Sequence, residues 1–532
     1  MATHDVFNQS PIFENVNFFT SDRALTSAVL AYGDDKGLAN FGAITGSATS
    51  LEHGQLANEF KPQLVQFDTK GYRVDKIKFH PSYHALMSIS AKQGLHNSVW
   101  QKQPETNVKR AAGMYMSCQM EPAHCCPITM TNACVPTIAK QANIAQNWLP
   151  KVLEPNYDHR FLPMEEKTSV TIGMGMTEKQ GGTDVRANTT KAEPTSNGEY
   201  LLTGHKWFMS APMCDAFLVL AQAPTGLSCF LVPRFTPDGN QNPIYIQRLK
   251  NKLGNIANAS SEVEFDKTAG FLIGNEGEGV RNIIEMVTMT RLDCAISSAG
   301  LMRNAIAQVI NHCDHRTVFQ RKLIDQPLMQ QVIADMVLDH ESAMALTFRL
   351  AHAFDAQKDS QLEKLFVRFM TPVIKYYVCK MVPAIAYEAM ECMGGNGYVE
   401  DGPMARIYRE APLNAIWEGS GNVMCLDFLR ALGRDRDGFA QLLDSFEGNK
   451  QLQQEKQWLA DRLLNPRGLE ADARIIVERL AKMVAASIMA TTKDEFITQN
   501  FINTRIAASN HQQYGACTLN DTAQIIDYAR PA

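Results

Sequence analysis

The chain has 532 residues, 45% of them apolar, a formal net charge of −5 and twelve cysteines. That length supports several buried cores, and the slightly acidic balance excludes a global attraction to nucleic acid, so a small-molecule partner is the first expectation. With no run of eighteen apolar residues, and no basic leader or apolar signal core in MATHDVFNQSPIFENVNFF, the expectation is a cytoplasmic protein without a membrane span.

In chain order, residues 1–166 alternate loop-like stretches (SATSLEHG, KQPETN) with segments of helical period such as PSYHALMSISAKQGLHNSVW. They predict a mostly helical domain. The cysteines are scattered, Cys125 lies beside Cys126, and no CxxC pair occurs, which predicts reduced thiols and neither disulfides nor a metal site. Over 167–276 the texture changes to six short β-prone runs, among them SVTIGMGMT, YLLTGHKWFMSA and AFLVLAQA, separated by Gly, Pro, Asn and Asp. Such spacing predicts a small β-barrel or sandwich rather than βαβ units.

Within 277–434, long 3.6-residue patterns at roughly 280–315, 326–353 and 360–393 suit a helical bundle. The final stretch, 435–532, follows the polar RDRDG and predicts an extra C-terminal helical domain. The expected fold class is α+β, with one β-domain between helical ones.

Near the end of the bundle stands NAIWEGSGNVMCLDFLRALG, residues 414–433. Val423, Leu426, Leu429 and Leu432 recur at helical spacing, Ser420 or Asn422 can cap that helix, and Gly433 is expected to stop it. A helix N-terminus behind glycines offers unpaired N–H groups to an anion. Taken alone, the stretch reads as a capped helix with an acidic neighbour, Glu418; an anion-binding turn is the second reading.

Four stretches together carry a resemblance: GMGMTEKQGGTDVRANTT (173–190), GHKWFMSAP (204–212), ECMGGNGYVED (391–401) and IWEGSGNVMCLD (416–427). In this order the chain resembles the acyl-CoA dehydrogenase superfamily, and within it the AidB-like branch. The likeness extends to PITMTNACVP and the C-terminal helices, so it spans nearly the whole chain.

The resemblance implies FAD, extended between the β-domain and the bundle, with a second subunit completing the site in a homotetramer. Met176 and Thr177 match positions against the flavin ring, and Gly182 and Thr183 match those near the pyrophosphate; on spacing alone, GGTD is a plain β-turn. Phe208 stands where a flavin-stacking tryptophan is usual and Ser210 where a threonine is usual. The aromatic face is kept and the indole N–H lost. Arg316 and Phe319 match residues that reach a neighbouring subunit's cofactor, Gly394 and Gly395 match the approach to its AMP half, and Ser420 and Asn422 match contacts at the helix end. Glu391 replaces a common glutamine and is left without a role.

By the same resemblance, Glu418 matches the catalytic base that removes an α-proton from an acyl-CoA thioester as the β-hydrogen leaves as hydride. Members that carry the base on the first long bundle helix have it where this chain has Thr290, before Arg291, so Glu418 is the sole candidate. Asp293 is expected in an ion pair.

Two functions follow as expectations. The first is an FAD-dependent acyl-CoA dehydrogenase passing electrons to an electron-transfer flavoprotein or another acceptor. The alternative is an AidB-type flavoprotein of the DNA-alkylation response that binds DNA through its C-terminal helices. Residues 441–532 hold 10 Lys+Arg against 11 Asp+Glu, so no basic excess supports DNA as a partner. Arg462, Arg467, Arg474, Arg479 and Lys482 are read as a solvated helix face with acidic neighbours.

Overall fold

The computed structural model describes residues 4–103, 106–465, 467–507 and 519–531. Contacts divide the chain into two units: one of Met1–Ala48, Thr106–Met120 and Arg291–Ala532, the other of Thr49–Glu105 and Glu121–Thr290.

The first unit is built on three long helices: Gly279–His315, which joins it from Arg291 onward, Pro327–Ala356 and Gln361–Cys392. These are the three long patterns expected from the sequence. Pro327 opens its helix where a missing N–H costs nothing, and Ser360 caps the next by accepting from the Glu363 amide. That last helix continues through Pro372 and Pro383. A proline inside a helix removes one hydrogen bond and strains the turn before it. Here the surrounding side chains Phe366, Phe369, Val373 and Ile374 are wholly buried, and their packing outweighs the loss.

Phe369 meets Phe428 and Phe439, with centroid separations of 6.5 and 5.2 Å, and Phe428 meets Phe439 at 5.4 Å, all edge-on. This cluster holds the Gly421–Arg434 and Arg436–Asp444 helices against the Gln361–Cys392 helix. Gly433 does not stop its helix, which runs to Arg434. The polar RDRDG is a junction between two helices, where Asp435 caps the second by accepting from the Gly438 amide at 2.9 Å.

The tail shares the core of this unit. Its Ala473–Thr492 helix is buried along most of its length, including Ile476, Leu480, Val484 and Met489. Lys493 pairs with Glu341 at 2.9 Å, each side chain 1% exposed, and Arg505 pairs with Asp335 at 2.6 Å.

In the second unit a hairpin, β1 (Gln63–Phe67) with β2 (Arg73–Lys78), interrupts the otherwise helical N-terminal stretch. Its short strands, QLVQF and RVDKIK, do not alternate apolar with polar residues, so no strand period shows. The β-domain follows as β3 (Ile172–Thr177), β4 (Lys191–Pro194), β5 (Tyr200–Ser210), β6 (Ala216–Ala223), β7 (Gly226–Pro233), β8 (Ile244–Leu249) and β9 (Ser260–Ile273). The strand order is β3-β5-β4-β6-β7-β9-β8, and the extra pairings β5–β9 and β3–β6 close it into a barrel, one of the two architectures expected. β6 and β7 read as near-continuous apolar runs because both their faces are covered, from Ala216 to Ala221 and from Leu227 to Pro233.

Two register shifts along β5, between Leu202 and Gly204 and between Lys206 and Met209, bend the strand around the barrel. The Thr131 hydroxyl accepts from the Ile172 amide at 3.1 Å and ties β3 to the Cys125–Ala133 helix. All eleven described cysteines are free thiols, buried except for the half-buried Cys392; Cys517 lies outside the described residues.

Candidate active site

Glu418 occupies a turn between the short Leu413–Ala415 helix and the Gly421–Arg434 helix. Its φ is +57°, and Gly419 follows at +101°. For a residue with a Cβ that conformation costs about 1–3 kcal/mol, so the surroundings must enforce it. Gly419 is required twice over, by its φ and because a Cβ there would stand 2.5 Å from Met424 Cε.

Three consecutive carbonyls of this turn are taken by two cations. Lys375 Nζ donates to Trp417 O at 2.8 Å and to Gly419 O at 2.6 Å, and Arg291 Nε donates to Glu418 O at 3.0 Å. Arg291 is itself held by Asp427 at 2.8 Å, on the helix the turn feeds. On the approach side, Trp417 Nε1 donates to Asn414 Oδ1 at 2.9 Å, and Asn414 donates to Ser298 Oγ at 3.2 Å. The Cys294 thiol is pushed well above its usual range, chiefly by burial; the Glu418 charge adds to the rise and the Lys375 ammonium opposes it, which puts all three in one neighbourhood.

Ser420 takes the N-cap position of the Gly421–Arg434 helix, but its side chain makes no capping hydrogen bond. Asn422 is not the cap either; its Oδ1 accepts from Arg474 Nε at 2.8 Å. Thr290 offers no carboxylate, and its hydroxyl donates back to Val287 O. Asp293 is in an ion pair, as expected, but with Arg110 on another helix rather than along its own.

Gly394 (φ +59°) and Gly395 follow the end of the Gln361–Cys392 helix, and a Cβ on either would meet nothing within 4 Å. Arg316 donates to Asn8 O at 2.7 Å, and Phe319 stands 90% exposed at the tip of a two-residue hairpin, with φ +52°.

In the second unit the expected residues gather on β3 and β5. Thr177 lies opposite Phe208 and Met174 opposite Ser210, so GMGMT and HKWFMS are cross-strand neighbours. Met176 is half-buried, while Phe208 presents an aromatic side chain that is 47% exposed. Gly182 packs directly on Thr177, Thr183 is exposed, and the turn is anchored by Glu178. That carboxylate accepts from Lys206 Nζ at 2.8 Å and from the Thr189 amide at 2.7 Å. Burial opposes its ionisation, but the Lys206 ammonium and the donors around it prevail and hold it well below the usual carboxylate range. Lys250 Nζ lies 3.5 Å from the Trp207 ring centroid and 4.5 Å from that of Phe208.

A cavity of 720 Å³ also lies in this unit, lined by His84, Tyr157, His159 and Phe161 among others, and it includes none of the expected site residues. No metal-binding cluster occurs among the described residues.

Lys375 and Arg291 were not marked by sequence reasoning. The available signal was a lysine inside the apolar run VIKYYV, a charge at a position the helical period assigns to the core.

Residues 173–268 match the middle domain of acyl-CoA dehydrogenases and residues 277–433 their C-terminal domain, while 8–159 match the N-terminal domain of the adaptive response protein AidB. AidB of Escherichia coli (strain K12) is 47% identical over 450 residues, 84% of this chain and 83% of that protein. The chain belongs to the acyl-CoA dehydrogenase family.

Within it the N-terminal match assigns the AidB-like branch. Members of the family are FAD-dependent oxidoreductases. Caenorhabditis elegans ACDH-11, solved in complex with C11-CoA, superposes with a TM-score of 0.84 at 26% identity, covering 99% of this chain and 92% of that one. A Bacillus anthracis acyl-CoA dehydrogenase complexed with FAD shares the fold, with a TM-score of 0.69 at 15% identity over 85% of this chain and 90% of that one. No described helix of this family member is long and apolar enough to cross a membrane.

Proposed function

We propose that the protein dehydrogenates an acyl-CoA thioester between its α and β carbons, with Glu418 as the base. The observation that carries this reading is the enforced turn: a carboxylate-bearing residue held at φ +57° by two cations on its own and its neighbours' carbonyls. A helix start needs no such arrangement, whereas a base does, because a thioester α-proton is weakly acidic and its removal depends on a positioned acceptor.

The residues present fit FAD. In the second unit an exposed Phe208 beside Thr177 and Ser210 offers an aromatic face to a flat ring, with Met176 nearby on β3. The Gly182–Thr183 turn exposes backbone to phosphate oxygens. In the first unit Gly394 and Gly395 leave open space, and Ser420 and Asn422 stand at a helix end whose amides the Ser420 side chain leaves uncapped. Arg316 and the exposed Phe319 suit a contact with a second subunit of a homotetramer. When bound, FAD supplies the acceptor for the β-hydrogen. The chain's own part is to orient the thioester, exclude water and take the α-proton at the Glu418 carboxylate.

An electron-transfer flavoprotein or another soluble acceptor fits as the reoxidant, and the cytoplasm as the location. The DNA-binding alternative finds less support in the tail: Arg462 pairs with Asp472, Arg479 with Glu455 and Lys482 with Glu478, so those cations are already neutralised. The test is an anaerobic titration of the flavin-loaded protein with acyl-CoAs from short branched to long straight chains. Bleaching of the visible flavin absorbance by some of them is expected, and bleaching by none overturns the proposed activity.

A further inference from the structure

Lys375 is 1% exposed, in the middle of the Gln361–Cys392 helix, and among the described residues it makes no ion pair. Its partners are two carbonyls, those of Trp417 and Gly419. Removing an ammonium from water to bind two carbonyls is unfavourable, because carbonyl dipoles replace only part of its hydration. A methionine or leucine would satisfy the helix pattern at this position. What the lysine adds is a grip on the peptide group before Glu418 and on the one after Gly419, at a sequence separation of 42 and 44 residues.

The geometry assigns Lys375 as the positioning residue of the base, and this rests on the reading of Glu418 as that base. A residue at φ +57° followed by one at +101° has no regular hydrogen-bonding pattern to hold it, and each flanking peptide plane is free to flip. One ammonium bound to Trp417 O and Gly419 O fixes the plane before Glu418 and the plane after Gly419 at once. Arg291 fixes the plane between them, the one that directly follows Glu418, and is anchored in turn by Asp427. The carboxylate then has one origin and one direction, set by the long helix rather than by the turn. A lost clamp leaves the chain folded around a base that points through a range of directions.

The experiment measures washout of deuterium from the α-carbon of an acyl-CoA into water, with full-length, FAD-loaded protein and no electron acceptor. This reads proton removal separately from hydride transfer. Glu418→Gln is the reference: washout at the wild-type rate in that variant overturns the base reading itself. With that reference inactive, Lys375→Met is expected to retain flavin and to bind acyl-CoA within about threefold of wild type, while washout slows by about 100-fold, the scale of an ångström-sized misplacement. Lys375→Arg, which keeps the charge and the donors, is expected to recover part of the lost rate. Washout at the wild-type rate in Lys375→Met, or a loss confined to binding, overturns the positioning role. Where Lys375→Met does not accumulate as folded protein, Lys375→Gln replaces it with the same two outcomes.

Discussion

Arg110 and Asp293 meet as a fork, with both guanidinium ends donating to both carboxylate oxygens at 2.7 Å and side chains only 2% and 4% exposed. Cutting one side of such a pair strands a buried charge. Asp293→Asn is therefore expected to lower the unfolding free energy by about 3–5 kcal/mol, read from chemical denaturation. A change within the ordinary surface range would mean that water reaches the guanidinium.

Glu418→Gln keeps the size and the backbone of the turn, so bound flavin and its yellow colour are expected to persist. Bleaching by an acyl-CoA is expected to slow by about 100- to 10,000-fold, the contribution of a positioned base. Normal bleaching in a stopped-flow mixing experiment would remove Glu418 from the chemistry.

Because the Ser420 side chain makes no cap, Ser420→Ala should change stability by less than about 0.5 kcal/mol. Flavin retention on dialysis is expected to fall in Ser420→Ala and in Thr183→Val. Unchanged spectra in both variants after dialysis would dissociate these residues from the cofactor.

Glu178 has a folded-state value held well below that of an unfolded glutamate. Its stabilising contribution is present above the unfolded value of about 4.3 and is lost as pH falls from there toward the folded value. Glu178→Gln strands the buried Lys206 ammonium, which burial already pushes down to about 8, and is expected to destabilise by about 3–5 kcal/mol at pH 7. The gap between wild type and this variant is expected to narrow as pH falls below about 4. A gap that stays constant with pH would show that the pair is not the source. Replacing both residues, Glu178→Gln with Lys206→Met, should recover part of the loss.

Much of this protein was legible in its order of residues. The 3.6-residue patterns of the three long helices survive because each helix keeps one chemical character over thirty residues or more. The β-prone runs likewise foretold a barrel or sandwich rather than βαβ units, and the runs of β6 and β7 are apolar throughout because both their faces are covered. The sequence also brought GMGMT, HKWFMS and the Glu418 turn to notice as a set, and a set of short motifs is specific where each alone is not.

Three features were settled only in the folded molecule. The tail helix shares the bundle's core through pairs such as Lys493 with Glu341, and nothing local to residue 493 announces a partner more than a hundred positions earlier. The β1–β2 hairpin depends on pairing rather than on apolar alternation. The grip on Glu418 comes from Lys375 and Arg291, at separations of 42 to 127 residues, and sequence periodicity reports which face a residue occupies but not which carbonyl lies opposite it. Local chemistry chose the helices, strands and turn; long-range hydrogen bonds, which exist only once those elements pack, decided where the carboxylate is held.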